Sequence, residues 1–82
     1  MPVHIKKRGV IMEIIKLREG EEFIKLGQAL KAAGLVDSGL DAKEVITQGL
    51  VLVDGEIETR RGRKLYDGAE VVFDDEKISI QK

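Results

Sequence analysis

Phe23 to Gly55 reads FIKLGQALKAAGLVDSGLDAKEVITQGLVLVDG, and its hydrophobic period changes partway along. Leu26, Ala29, Leu30 and Ala33 fall at i, i+3, i+4 and i+7, a single apolar stripe that predicts a helix over 23–33. Gln28 and Lys31 lie on the opposite face, with Lys25 on the flank. Gly34 supplies the left-handed position that commonly closes a helix, and Leu35 and Val36 follow as apolar anchors. After the polar loop Asp37-Ser38-Gly39, a second helix runs from Leu40-Asp41 to Gln48-Gly49, with either Ser38 or Asp41 able to cap it. Ala42, Val45 and Ile46 form its buried stripe, while Lys43 and Thr47 face away. Two helices this short, joined by a few residues, must pack against each other to be stable. From Leu50 the pattern turns to strands: Leu50–Val53, the two-residue turn Asp54-Gly55, then Glu56–Glu58 read as a hairpin.

Outward from this stretch, strand signals continue on both sides. Downstream come the basic run Arg60-Arg61-Gly62-Arg63-Lys64, a second turn at Asp67-Gly68, a strand over Glu70–Phe73, and an alternating segment, Lys77–Ile80, expected to be a final edge strand. Upstream, Met12–Leu17 is rich in β-branched residues and ends at a charged glycine turn, as a strand would. Residues 1–10 carry Pro2, Gly9 and three cations without useful periodicity and read as a flexible leader, with residues 11–82 as the single domain. The fold class is α+β: two helices packed on a small, mainly antiparallel sheet.

Eighty-two residues make one domain. Apolar residues are 43% of the chain, and Phe23, Tyr66 and Phe73 are its only aromatics, so the core must be aliphatic. The absence of cysteine excludes disulfides, thiolate zinc sites and thiol chemistry. No apolar run approaches the ~18 residues of a membrane span. The Lys6-Lys7-Arg8 cluster precedes an apolar stretch that is too short and too charged for a signal peptide, so a cytoplasmic location is expected.

The chemistry of catalysis is missing from the pattern. His4 is the sole histidine and sits in the leader; Ser38 and Ser79 have no base in a recognisable motif. Asp74-Asp75-Glu76 reads as a solvated acidic turn, and the glycines punctuate elements without forming a phosphate loop. No enzyme activity, metal or cofactor is expected.

Net charge is −1, from 14 basic and 15 acidic residues, which does not mark a nucleic-acid binder. The charges are segregated, however. Four cations in five residues, Arg60, Arg61, Arg63 and Lys64, repel one another unless solvent screens them or an anion answers them. Lys31 and Lys43, on the outward faces of the helices, could extend that patch. An acidic protein partner, with Leu50 and Leu52 helping, would satisfy the same run.

The order of these elements resembles the RNA-binding domain named after ribosomal small-subunit protein four. The likeness rests on Lys25-Leu26 through Gly34-Leu35, Ser38-Gly39 with Ala42-Lys43, Ile46, Gly49, and Val51 through Val53-Asp54-Gly55, and covers residues 23–73. Glu58-Thr59-Arg60-Arg61-Gly62-Arg63-Lys64-Leu65 is similar to the single-domain bacterial YaaA/YbcJ-like branch. The resemblance implies an L-shaped helix pair on an antiparallel sheet that docks structured RNA, ribosomal or transfer RNA, possibly within a ribosomal particle. By position it implies RNA contacts at Lys25, Ser38, Lys43, Asp54 and Gly55, beside Lys31 and the basic run. A helix N-terminus would offer N–H groups to phosphates. Gly39 stands where arginine is frequent in that family, Thr47, Leu50 and Leu52 where cations are frequent, and Asp54 where asparagine is usual. These departures shift the expected burden to Arg60, Arg61, Arg63 and Lys64. With so few aromatics, base stacking on an exposed platform is not expected.

Overall fold

A computed structural model describes residues 11–82; the leader 1–10 lies outside them. Seven strands and two helices follow in order: β1 (Ile11–Lys16), β2 (Phe23–Lys25), α1 (Leu26–Ala32), α2 (Gly39–Thr47), β3 (Val51–Val53), β4 (Glu56–Ile57), β5 (Lys64–Tyr66), β6 (Glu70–Phe73) and β7 (Glu76–Gln81). Five strands form one sheet in the order β1-β7-β6-β3-β4, and β2 and β5 form a separate antiparallel ribbon. Among the described residues only the β1/β7 pair is parallel. The α+β class holds, and the helices pack against each other beside the sheet.

Leu26, Ala29 and Leu30 of the expected stripe are fully buried, together with Ala42 and Ile46 of α2. Facing them are Val51, Val53, Val71, Ile78 and Ile80 of the sheet and Leu65 of the ribbon. The core among the described residues is aliphatic, as three aromatics required. Both helices end alike. Gly34 and Gly49 take φ of 75° and 77°, and the next amide reaches back five residues, Leu35 N–H to Leu30 O and Leu50 N–H to Val45 O. This Schellman closure satisfies carbonyls that would otherwise be orphaned. At the start of α2 the choice of cap resolves to Ser38, whose Oγ accepts from the Asp41 N–H at 3.2 Å. Asp54 and Gly55 both adopt positive φ, 50° and 86°, the conformation a tight two-residue hairpin demands.

Two expectations need correction. The helix does not begin at Phe23: residues 23–25 are strand β2, and α1 starts at Leu26. Phe23 and Ile24 favour extended backbone, and pairing with Tyr66 and Leu65 of β5 satisfies it. Lys77–Ile80 is not an edge strand. β7 lies between β1 and β6, burying Glu76, Ile78 and Ile80 on one side while Lys77, Ser79 and Gln81 sit on the other, partly exposed face. Alternation reports one covered face and says nothing about how many strands flank it.

Candidate functional site

The basic run is organised by an acid. Glu58, at the end of the β3–β4 hairpin, is only 7% exposed. Its Oε2 accepts from the backbone N–H groups of Thr59 and Arg60, both at 3.1 Å, and from Arg60 Nε at 3.0 Å. Its Oε1 accepts from Arg60 Nη2 at 3.1 Å and Arg63 Nη1 at 2.6 Å. Hydrogen bonds from Arg60 and then Arg63 hold the carboxyl at a pKa of about 2, against the opposing effect of burial. Two of the four run cations are therefore already answered by an internal anion. Glu58 did not stand out in the sequence; the available signal was an acid placed two and five residues before arginines.

The same loop clamps the start of α1. Leu26 N–H donates to Arg63 O at 2.8 Å and Gly27 N–H to Arg61 O at 3.1 Å. These first-turn amides thus have protein acceptors, so α1 does not offer them to a phosphate. The Arg61 stem lies against Gly27, where a Cβ would come within 2.7 Å of Arg61 Cγ. A side chain at position 27 would push Arg61 away.

This clamp brings distant residues together. Lys25, Gly27, Gln28 and Lys31 of the β2–α1 segment, Gly39 of α2, and Arg61 and Gly62 of the loop line one open groove of about 410 Å³. On the other flank of the loop a second groove is lined by Arg60, Gly62, Arg63, Lys64 and Tyr66. Across the ribbon Lys25 stands directly opposite Lys64, so the two grooves share a cationic border. Lys25, Lys31, Arg61 and Lys64 form no ion pair with a carboxylate among the described residues. Lys43 is exposed on α2 and lines neither groove. Ser38 is engaged as the α2 cap. Asp54 accepts from Glu70 N–H at 3.0 Å and lies with Arg63, Lys64 and Tyr66 on a third hollow, while Gly55 forms the turn.

The sequence profile described as S4 domain matches residues 15–81. The chain belongs to the S4 domain family. The S4 match exceeds the 23–73 span of the resemblance and takes in the last two residues of β1 and all of β7. Over 47 residues the chain is 51% identical to RlbA of Bacillus subtilis (strain 168), whose name assigns it to ribosome maturation; the match covers 57% of this chain and 66% of RlbA. Over 57 residues it is 37% identical to YbcJ of Escherichia coli (strain K12), whose name assigns it to RNA binding, covering 70% of this chain and 81% of YbcJ. The solution structure of E. coli YbcJ, described as revealing an αL motif involved in RNA binding, superposes with a TM-score of 0.65 at 28% identity, covering 99% of this chain and all of YbcJ. The helix pair of this S4 domain is thus the counterpart of that motif. Among the described residues no helix is long and apolar enough to cross a membrane.

Proposed function

We propose that this S4 domain is a non-catalytic, cytoplasmic RNA-binding protein that holds structured RNA chiefly by its phosphates. One observation carries the reading: Lys25, Lys31 and Arg61, far apart in sequence, converge on a single groove. Gly39 and Gly62 line it as well, with open space above each, so a phosphate backbone can approach closely. Lys64 extends the cationic border. The name of RlbA supports ribosomal RNA ahead of transfer RNA. Relative to the expectation that the whole run carries binding, the emphasis moves: Lys25, Lys31, Arg61 and Lys64 meet the phosphates, while Arg60 and Arg63 first hold the loop in shape through Glu58.

Affinity capture from a bacterial lysate, with and without ribonuclease treatment, tests this. RNA recovered with the untreated protein, and partners lost on digestion, is the expected result. Partners retained after digestion would favour the alternative, an acidic protein bound to the basic loop.

A further inference from the structure

The outward face of the β2/β5 ribbon holds four side chains. Phe23 pairs with Tyr66 and Lys25 with Lys64, and because facing residues and their i+2 neighbours share a face, all four lie together. Ile24 and Leu65 point the other way; Leu65 is fully buried and Ile24 packs on the core. Phe23 and Tyr66 have ring centroids 5.8 Å apart and planes tilted by 53°. The Lys64 ammonium sits 4.9 Å from the Phe23 ring centre, so one face of Phe23 is covered by a cation. Tyr66 is 51% exposed. It lines both the groove of Arg60, Arg63 and Lys64 and the neighbouring hollow behind Asp54.

We propose that Tyr66 is a stacking site for an unpaired base, and that the RNA this domain selects is a helix carrying a bulged nucleotide. The proposal rests on the RNA-binding reading above and deepens it. A paired helix keeps its bases stacked inside and can offer an aromatic ring little, whereas an extruded base has two open π-faces. Tyr66 is positioned for such a base because Phe23 packs against its ring from one side, while Lys64 and the Glu58-paired Arg60 and Arg63 line the groove beside it. The flanking phosphates of a bulge would lie within that charge. An acidic peptide would satisfy the cations but has no use for a ring beside them. The scarcity of aromatics, which argued against stacking, is offset by placing two of the three on one ribbon.

Tyr66 is the only tyrosine, and the chain has no tryptophan, so intrinsic tyrosine emission reports this position alone. The test compares an RNA hairpin with a single-nucleotide bulge in its stem against the same hairpin fully paired. Binding at low salt is read both by tyrosine emission and by the anisotropy of end-labelled RNA. The wild type is expected to prefer the bulged hairpin by roughly five- to hundredfold, the range for one stacked base, with quenching specific to it. Tyr66→Phe keeps the anisotropy preference. Tyr66→Leu retains an apolar contact for Phe23, folds by circular dichroism, and loses the preference. Equal affinity of the wild type for both hairpins, or an unchanged preference in folded Tyr66→Leu, would overturn the stacking site and leave phosphate binding standing. Failure to bind either hairpin would overturn the RNA-binding reading, and the stacking site with it.

Discussion

Lys25 and Lys64 face each other across the β2/β5 ribbon, two like charges in direct register on a face that also holds Phe23 and Tyr66. Directly opposed like charges are unfavourable in a sheet, and the Lys64 ammonium finds part of its compensation over the Phe23 ring. An anion bridging the two lysines would remove the conflict.

Stability and binding should therefore move in opposite directions at this pair. Lys25→Glu converts the repulsion into a cross-strand ion pair, which contributes up to about 1 kcal/mol. The expected outcome is an unchanged or slightly raised melting temperature, by up to roughly 5 °C, together with weaker RNA binding. Thermal denaturation and a binding titration on the same preparation check both signs. A lower melting temperature with undiminished binding would contradict the role given to Lys25.

Glu58 makes the loop sensitive to acid. Its carboxyl has an ordinary pKa of 4.5 in the unfolded chain and about 2 in the folded one, so the folded state binds fewer protons. Its contribution is fully present above pH 4.5 and is lost as pH falls from there towards 2. Glu58→Gln should flatten that part of the stability–pH curve. Glu58→Ala, which removes acceptors for two backbone N–H groups and two guanidinium groups, should cost roughly 1–3 kcal/mol near neutral pH. Urea denaturation between pH 2 and 7 measures both effects.

Gly27→Ala separates the groove from the fold. Alanine is favoured over glycine in a helix by roughly 1 kcal/mol, but the new methyl would collide with the Arg61 stem. Arg61 has to swing out of the groove, so binding is expected to weaken severalfold while net stability changes by less than about 1 kcal/mol. Full retention of binding would show that Arg61 is not needed where it stands.

Asp54→Asn restores the residue usual in the resembling family. Asparagine tolerates the positive φ of the turn, and its Oδ1 can accept the Glu70 N–H as Asp54 does. Removing a negative charge beside Arg63 and Lys64 should leave the melting temperature nearly unchanged and tighten RNA binding modestly at low salt. A weaker complex would indicate that Asp54 itself contacts the RNA.

What the sequence made legible was local. The apolar stripe from Leu26, the closing glycines Gly34 and Gly49, and the Asp54-Gly55 turn are each set by residues a few positions apart, and the structure contains all of them. What it concealed was long-range pairing. β2 and β5 are three residues each, too short for a periodic signal, and Lys64 was hidden inside a run of cations. Only their pairing shortens the first helix and seats Tyr66 beside Phe23. β7 showed its alternation, but the parallel partner β1 lies at the other end of the chain, and strand order cannot be deduced from period. At the site, Lys31 and Arg61 are candidates by charge and position, and Lys25 by the family resemblance. The Glu58 bridge, which distinguishes Arg60 and Arg63 from Arg61 and Lys64, depends on side-chain geometry that charge counting does not contain.

The central claim is that a small set of unneutralised cations, Lys25, Lys31, Arg61 and Lys64, holds RNA by its phosphates. Its most direct test is the salt dependence of wild-type affinity for a structured ribosomal RNA fragment. Four phosphate contacts predict a slope of roughly −3 to −4 in log K against log salt concentration. A slope near zero, or no binding at low salt, would contradict the account.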